Sequence, residues 1–257
     1  MEFRVAKAAR VTGQMLERLV REKLQAENIP EPNAVVCYGV GYTGPQPALN
    51  ARCTSMNKME QGVALFREFA GNEESLIIIP ANETDRIVAS LPVVGRKIKH
   101  AKGKDIRVCK NARQVALAVA KGREFFTPIV DSDTEYRVWV YRKRVLAVYE
   151  KRLTEPENNT KFGRNRANGW TFHALGTDDI PESVRDVSKR AVAALGLDFG
   201  AVDVLGKWED EQHTDVHATV LEVNSAPGVS DEHRSCIVKL TNRVVRWVAN
   251  GCPAREA

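Results

Sequence analysis

The sequence has few of the residues that build disulfide frameworks or zinc sites. Its five cysteines are an odd number, and no two of them form a Cys-X-X-Cys pair. Disulfide frameworks need paired cysteines and zinc fingers need closely spaced ones, so neither is predicted. This cysteine usage is typical of proteins in a reducing compartment, and we expect a cytoplasmic protein.

Long apolar runs are also absent. No apolar stretch approaches the roughly 20 residues that cross a bilayer, and the opening Met-Glu-Phe-Arg lacks the apolar core of a signal peptide. The glycines at 39, 41 and 44 do not have the Gly-X-Gly-X-X-Gly spacing of a Rossmann loop. We therefore expect no membrane segment, no leader and no dinucleotide site of that type.

Positive charge is only mildly in excess of negative charge. The net charge is +5 and the lysines and arginines are spread along the chain, which favours an ordinary solvated surface. The same excess suits an anionic ligand such as a nucleotide. A nucleic-acid-binding surface is the less favoured alternative.

Apolar periodicity, prolines and glycines divide the chain into helices and strands. Helices are predicted at 5–28, 57–70, 83–90, 112–121, 181–195 and 236–249. Strands are predicted at 34–38, 76–79, 91–94, 106–109, 124–130, 136–141, 145–149, 199–205 and 218–224. The polar segment 153–170 is predicted to be a functional or mobile loop.

Polar side chains interrupt the last predicted strand. Glu222 and Asn224 lie two positions apart, so a strand directs both to one face. The same alternation predicts that Val220 lies on their face and that Leu221 points toward the core. A charged group on such a strand is costly unless something pairs with it.

A third polar residue, Asp203, interrupts the preceding predicted strand. Consecutive strands usually pair, so Asp203 is expected beside Glu222. Carboxylate and carboxamide oxygens are ligands that Mg²⁺ prefers, usually together with phosphate oxygens of a substrate. The pattern indicates a magnesium site, and a salt-bridged structural role for the acids is the alternative.

A basic segment connects two predicted strands in the first half of the chain. It reads Gly-Arg-Lys-Ile-Lys-His-Ala-Lys-Gly-Lys over 95–104. Backbone N–H groups and cationic side chains on such a hairpin suit a polyphosphate. An exposed loop that happens to be basic is the other interpretation. Cys236 and His233, near the last strand, have no clear partner for nucleophilic catalysis.

The order of these parts resembles the ATP-grasp superfamily. It is most similar to carboxylate–amine ligases of the ribosomal-protein glutamate ligase and phage amidoligase type. The motifs that carry the resemblance are Leu-Gly-Leu-Asp-Phe-Gly-Ala-Val-Asp203, Val-Leu-Glu222-Val-Asn224-Ser-Ala-Pro-Gly228, Glu135-Tyr-Arg137-Val-Trp-Val and Glu150-Lys151-Arg152. The resemblance spans about 55–247 and is strongest from 131 onward.

The resemblance implies an α+β ATP-grasp fold with two lobes that enclose ATP. Residues 1–54 would form an abbreviated N-terminal region. Residues 55–128 would form the smaller lobe with the phosphate-binding hairpin, and 129–257 the larger lobe with the metal site. The implied reaction is ATP- and magnesium-dependent joining of a carboxylate to an amine through an acyl-phosphate, on a peptide or protein.

The resemblance also implies roles for single residues. Asp203, Glu222 and Asn224 would hold two Mg²⁺ ions, with Mn²⁺ as a substitute. The ATP-binding residues would be Arg96, Lys99 and Lys104 at the phosphates, Thr127, Pro128 and Ile129 at the adenine, and Asp131 or Asp133 at the ribose. Arg137, Lys151 and Arg164 would face the acyl-phosphate and the acceptor carboxylate.

Other functions remain open at this point. An ATP-grasp kinase would phosphorylate a hydroxyl without an amine step. A non-catalytic module would bind the nucleotide without turnover. Plain charge pairing across strands is the alternative for Arg137 and Lys151.

Overall fold

The structure, a computed structural model, describes residues 1–53, 56–69, 74–98, 106–154, 164, 168–211, 216–229 and 234–254. The helices are α1 (Arg10–Ala26), α2 (Lys58–Glu68), α3 (Thr84–Ala89), α4 (Ala112–Ala120), α5 (Glu182–Ala194) and α6 (Arg234–Ala249). The strands are β1 (Glu2–Val5), β2 (Val35–Tyr38), β3 (Ala48–Leu49), β4 (Ile79–Pro80), β5 (Val93–Arg96), β6 (Arg107–Cys109), β7 (Phe125–Pro128), β8 (Thr134–Tyr141), β9 (Arg144–Leu153), β10 (Trp170–Leu175), β11 (Phe199–Trp208) and β12 (Val216–Asn224).

A five-stranded antiparallel sheet forms the larger layer, in the order β10-β9-β8-β11-β12. Alternating side chains give it two apolar faces. Val138 and Val202 pack on one face against α5, together with Val187. Trp139 and Phe199 pack on the other face against the helices α1 and α6.

A four-stranded antiparallel sheet, in the order β4-β7-β5-β6, forms a smaller layer with α3 and α4. Its core contains Ile87, Val93, Val115 and Phe126. The helix α2 shares the core of the larger sheet instead, because Leu65 packs with the α5 residues. The predicted division of the chain at 54 and 128 stays a prediction.

The N-terminal region folds as a small parallel sheet, β1-β2-β3, with α1 beside it. Leu16, Val20 and Leu24 of α1 enter the same core as Leu240 and Val244 of α6. This region therefore packs directly on the larger lobe.

Asn50 connects the N-terminal region to the start of β11. It is fully buried with φ 59°, and its Oδ1 accepts the N–H groups of Asp198 (2.9 Å) and Phe199 (3.1 Å). Its own N–H donates to Asp198 Oδ2 at 2.8 Å. Five polar groups of the two segments thus satisfy one another away from water.

Replacing Asn50 with alanine is expected to lower the free energy of unfolding by roughly 1–3 kcal/mol, because two buried N–H groups lose their acceptor. Urea denaturation measures the change. The matched control is Asn250→Ala, at an exposed position after α6, which is expected to stay within about 0.5 kcal/mol of the original protein. Equal effects of the two changes would contradict this role of Asn50.

Most predicted elements are confirmed with small shifts of their ends. Asn57 caps α2 with a capping box to Glu60, and Gly196 follows α5 with φ 67°. The larger differences concern short strands. The first helix, predicted from residue 5, begins at Arg10, and β1 before it was not predicted. The strand predicted at 76–79 is shortened to β4, and neither β3 nor β10, which follows the polar loop, was predicted.

Among the described residues, every helix is too short or too polar to cross a bilayer. All five cysteines are buried, and none of them forms a disulfide. Burial raises the pKa of the Cys236 thiol to about 12. The thiol is therefore protonated near neutral pH, which argues against Cys236 as a nucleophile.

Candidate active site

Charged side chains lie in register across neighbouring strands on one face of the five-stranded sheet. Asp203 of β11 pairs with Arg137 of β8 on one side and with Glu222 of β12 on the other. Asn224, two residues after Glu222 on the same face, pairs with Ala201 of β11. This brings together the three predicted metal ligands and one predicted catalytic residue.

Arg137 and Asp203 form a bidentate ion pair. Arg137 Nε lies 2.7 Å from Asp203 Oδ1, and Nη2 lies 2.7 Å from Oδ2. Burial would raise the pKa of Asp203, but the charges of Arg137 and Lys151 outweigh it and lower the pKa below its usual value. Burial would lower the pKa of Arg137, but Asp203 raises it further than burial lowers it. Both groups are therefore charged at neutral pH.

Glu222 is paired with Lys58, which lies at the start of α2. Lys58 Nζ donates to Glu222 Oε2 at 2.8 Å, and Asn224 Nδ2 donates to Glu222 Oε1 at 3.2 Å. Burial would raise the pKa of Glu222, but Lys58 and the hydrogen bond from Asn224 outweigh it and the pKa is lowered. The acid stays ionised beside the other carboxylate.

The strand β12 contains a β-bulge beside Glu222. Asp203 pairs with Glu222 but the next residue, Val204, pairs with Val220, so Leu221 is the extra residue. Val220 is buried with Val204 in the core against α5, on the face opposite Glu222. The predicted positions of Val220 and Leu221 are therefore wrong, because the bulge interrupts the simple alternation.

Lys151 is buried next to Glu135. Its Nζ donates to Glu135 Oε1, and the ring of Phe172 lies 5.5 Å from Nζ. The same ring lies 4.9 Å from the guanidinium carbon of Arg137. Burial raises the pKa of Glu135, and the charge of Lys151 offsets this only in part. One aromatic ring thus packs against both predicted catalytic cations.

Arg164 is held near the start of β8. Its Nη2 donates to Ser132 O at 2.6 Å and to Ser132 Oγ at 3.1 Å, and its guanidinium lies 5.2 Å from the Trp170 ring centre. Arg164 is close enough to Glu135 to lower the pKa of that acid by its charge. Arg164, the third predicted catalytic cation, therefore lies on the same side of the site as Glu135 and Lys151.

Arg96 reaches the site from the smaller sheet. It lines a cleft with Lys58, Leu221 and Glu222, and its Nε is buried with no hydrogen-bond partner among the described residues. Burial lowers the pKa of Arg96, and the charges of Glu222 and Glu135 act in the opposite direction. A buried Nε–H group that lacks a partner fits an anionic ligand in this cleft.

The predicted adenine-binding segment lies at the end of β7. Thr127 is buried and its Oγ1 has no partner among the described residues, while the N–H of Ile129 donates to Pro92 O at 3.1 Å. Pro128 pairs with Val93 of β5. The N–H of Ile129 is thus already used within the protein.

The predicted ribose-binding acids contact a lysine at the surface. Lys207 Nζ lies 2.9 Å from Asp131 Oδ2 and 3.3 Å from Asp133 Oδ1, and the N–H of Trp208 donates to Asp133 Oδ2 at 2.9 Å. Lys99 and Lys104, the other predicted phosphate ligands, lie outside the described residues, as does His233.

The donor set fits a magnesium ion. Asp203 and Glu222 supply two ionised carboxylates on paired strands, and Asn224 supplies a carboxamide on the same face. Cationic groups of Arg137 and Lys58 already lie against both carboxylates. No point in the described ranges gathers three or more His, Cys, Asp or Glu side chains that could hold a metal. Phosphate oxygens of a substrate are the remaining ligands that Mg²⁺ commonly takes.

Lys58, Glu135 and Phe172 were not predicted as site residues. Lys58 lies 164 positions from Glu222, and no local pattern connects them. Glu135 has a signal, since it lies two positions before Arg137 and alternation puts both on one face. Phe172 belongs to β10, which was not predicted from the sequence.

The two lowered acid pKa values predict a pH dependence of stability. Asp203 and Glu222 have lower pKa values in the fold than in the unfolded chain, so their stabilisation is present above about pH 4 and is lost as the pH falls. We expect the unfolding free energy to fall more steeply between about pH 5 and about pH 3 for the original protein than for Asp203→Asn. Urea denaturation in the presence of a chelator tests this, and parallel profiles would contradict it.

No protein-family model matches the chain. It is 21% identical over 154 residues to ribosomal protein bS6–L-glutamate ligase of Escherichia fergusonii, an alignment that covers 56% of this chain and 49% of that protein. The chain thus spans about half the length of this curated relative.

Solved structures match almost the whole chain. ATP-grasp ligase PsnB, complexed with a phosphomimetic variant of minimal precursor, Mg and ADP, has a TM-score of 0.65 and 14% identity, with 98% of each chain covered. D-alanine–D-alanine ligase from Bacillus anthracis has a TM-score of 0.59 and 12% identity, with 95% of this chain and 97% of that chain covered. The chain therefore has the ATP-grasp fold, which confirms the predicted α+β fold class.

Proposed function

We propose that this chain is an ATP- and magnesium-dependent ligase that joins a carboxylate to an amine through an acyl-phosphate, on a peptide or protein. One observation carries the proposal. Glu222, which pairs across the strands with Asp203, lines a cleft between the two sheets together with Arg96, whose Nε has no hydrogen-bond partner among the described residues. Asp203 forms an ion pair with Arg137 on its other side.

The charge balance of the site supports an anionic substrate. Among the residues that the structure describes, five cationic and three acidic side chains meet here, which leaves an excess of two positive charges. The cations are Lys58, Arg96, Arg137, Lys151 and Arg164, and the acids are Glu135, Asp203 and Glu222. A triphosphate compensates such an excess, and fixed charges in a buried cleft act strongly on phosphate oxygens.

Asp203, Glu222 and Asn224 would hold the magnesium. When bound, Mg²⁺ neutralises phosphate charge and orients the transferred group. We propose two ions, with Mn²⁺ as a substitute. Arg96 would bind phosphate oxygens, together with Lys99 and Lys104. Thr127, Pro128 and Ile129 would contact the adenine, and Asp131 or Asp133 the ribose.

Arg137, Lys151 and Arg164 would act on the substrate carboxylate. A carboxylate oxygen is a poor leaving group, and transfer of the γ-phosphoryl of ATP to it makes an acyl-phosphate that an amine can attack. The phosphate then leaves with the electron pair of the broken carbon–oxygen bond. Positive charges near the substrate carboxylate and the γ-phosphoryl group stabilise the negative charge that develops during the transfer. Lys151 and Arg137 are held by Glu135 and Asp203, so their positions are fixed before substrate binds.

The peptide or protein substrate is proposed from the named relatives. One relative is a ligase that acts on a ribosomal protein, and PsnB has been seen with a precursor peptide and AMPPNP. The five cysteines are buried and form no disulfide, which supports our proposal of a cytoplasmic protein.

An ADP-release screen against amino acids, polyamines and peptides tests the proposal, followed by mass spectrometry of the product. A new amide bond, with ADP and phosphate released together, would support ligation. A phosphorylated hydroxyl would instead identify a kinase. Magnesium-dependent ATP binding with no ADP release for any acceptor would identify a non-catalytic module.

A further inference from the structure

A second concave site lies away from the cleft, between α6 and the β8–β9 hairpin. It has a volume of about 310 Å³. Its wall is part apolar and part cationic, and none of the described residues that line it is acidic. The lining residues are Val145, Leu146, Thr177, Lys239, Asn242, Arg243 and Arg246.

The cationic side chains that line this pocket belong to α6, and Arg144 of β9 lies close to one of them, Arg243. Lys239, Arg243 and Arg246 lie at helical spacing on one face of α6, and Arg144 begins β9 nearby. None of these four side chains forms an ion pair with a described residue. Burial lowers the pKa of Arg243, and the charges of Arg144 and Arg246 lower it further. The cations therefore repel one another, and an anionic ligand would relieve that repulsion.

The strands connect this pocket to the charged face of the cleft. Leu146 at the pocket and Lys151 at the site both belong to β9, and five residues of strand span roughly 17 Å. The neighbouring strand β10 is an edge of the sheet and carries Phe172 at the site. Thr177 at the pocket lies two residues after the end of β10.

We propose that this pocket docks an acidic segment of the peptide or protein substrate, an inference that rests on the proposed ligation. An extended chain covers roughly 3.3–3.6 Å per residue, so a reactive residue five or more positions away would reach the charged face. The apolar wall of Val145 and Leu146 would cover the aliphatic part of glutamate or aspartate side chains. A duplex nucleic acid fits less well, because the cations surround one concavity instead of following an extended surface.

Fluorescence anisotropy with a fluorescein-labelled hexaglutamate peptide tests the docking site. We expect salt-sensitive binding that a hexaglutamine peptide does not reproduce. The double change Arg243→Glu/Arg246→Glu is expected to weaken binding roughly tenfold or more. Arg243→Gln/Arg246→Gln gives a milder second variant, expected to weaken binding less, and thermal unfolding checks that both variants fold.

The matched control changes the net charge equally at exposed arginines elsewhere. Arg10→Glu/Arg113→Glu is expected to leave the affinity within about twofold. Equal weakening by both pairs, or tighter binding of a hexathymidylate oligonucleotide at the same arginines, would overturn the proposal. Glu222→Gln is expected to bind hexaglutamate normally. A failure of ligation therefore stays distinguishable from a failure of docking.

Discussion

Replacing Glu222 with alanine is expected to reduce magnesium-dependent ADP release by about 10³-fold or more. Glu222 is one of two ionised carboxylates at the proposed metal site, and it pairs across strands with the other, Asp203. Without it, the proposed Mg²⁺ loses one of its two carboxylate ligands, so the ion that would neutralise the phosphate charge is held less tightly. A coupled ADP-release assay with the best acceptor from the screen measures the effect.

The fold is expected to survive this change. The pair of Glu222 with Lys58 is about one-third exposed, with side-chain exposures of 30% and 33%, so its loss costs about 1 kcal/mol or less. Glu211→Ala, in the exposed turn between β11 and β12, is the matched control and should retain full turnover. Retained turnover in Glu222→Ala with an unchanged unfolding midpoint would contradict the metal assignment.

Replacing Arg137 with methionine is expected to lower the free energy of unfolding by roughly 3–5 kcal/mol. The change leaves Asp203, whose side chain is only 6% exposed, as a buried carboxylate without its bidentate partner. Methionine keeps much of the contact with the Phe172 ring. The decrease in the free energy of unfolding therefore measures mainly the loss of the Arg137 charge. Urea denaturation near neutral pH measures it.

A double-mutant cycle separates this pair from general damage. Arg137→Met/Asp203→Leu removes both charges and is expected to be at least roughly 2 kcal/mol more stable than the sum of the single changes predicts. Arg152→Met on β9 removes an exposed ion pair and should stay within about 0.5 kcal/mol of the original protein. Additive effects at Arg137 and Asp203 would show that the pair contributes no coupling.

Much of the local structure could be predicted because its causes are close in sequence. The helix start at Asn57 and the helix end at Gly196 depend on contacts within one turn. The pairing of Asp203 with Glu222 was also predicted, since a single turn joins their strands. The bulge at Leu221 was not, because it depends on how two strands fit together.

The order of residues along the chain was enough to predict which oxygen donors and cations are available and which strands carry most of them. Their partners follow from the tertiary structure. It places Lys58 against Glu222, Lys151 against Glu135 and Arg96 opposite both acids, because these contacts join elements that are distant along the chain. Side-chain periodicity is a local property, whereas the pairing of buried charges depends on sheet register and on the packing of helices and sheets.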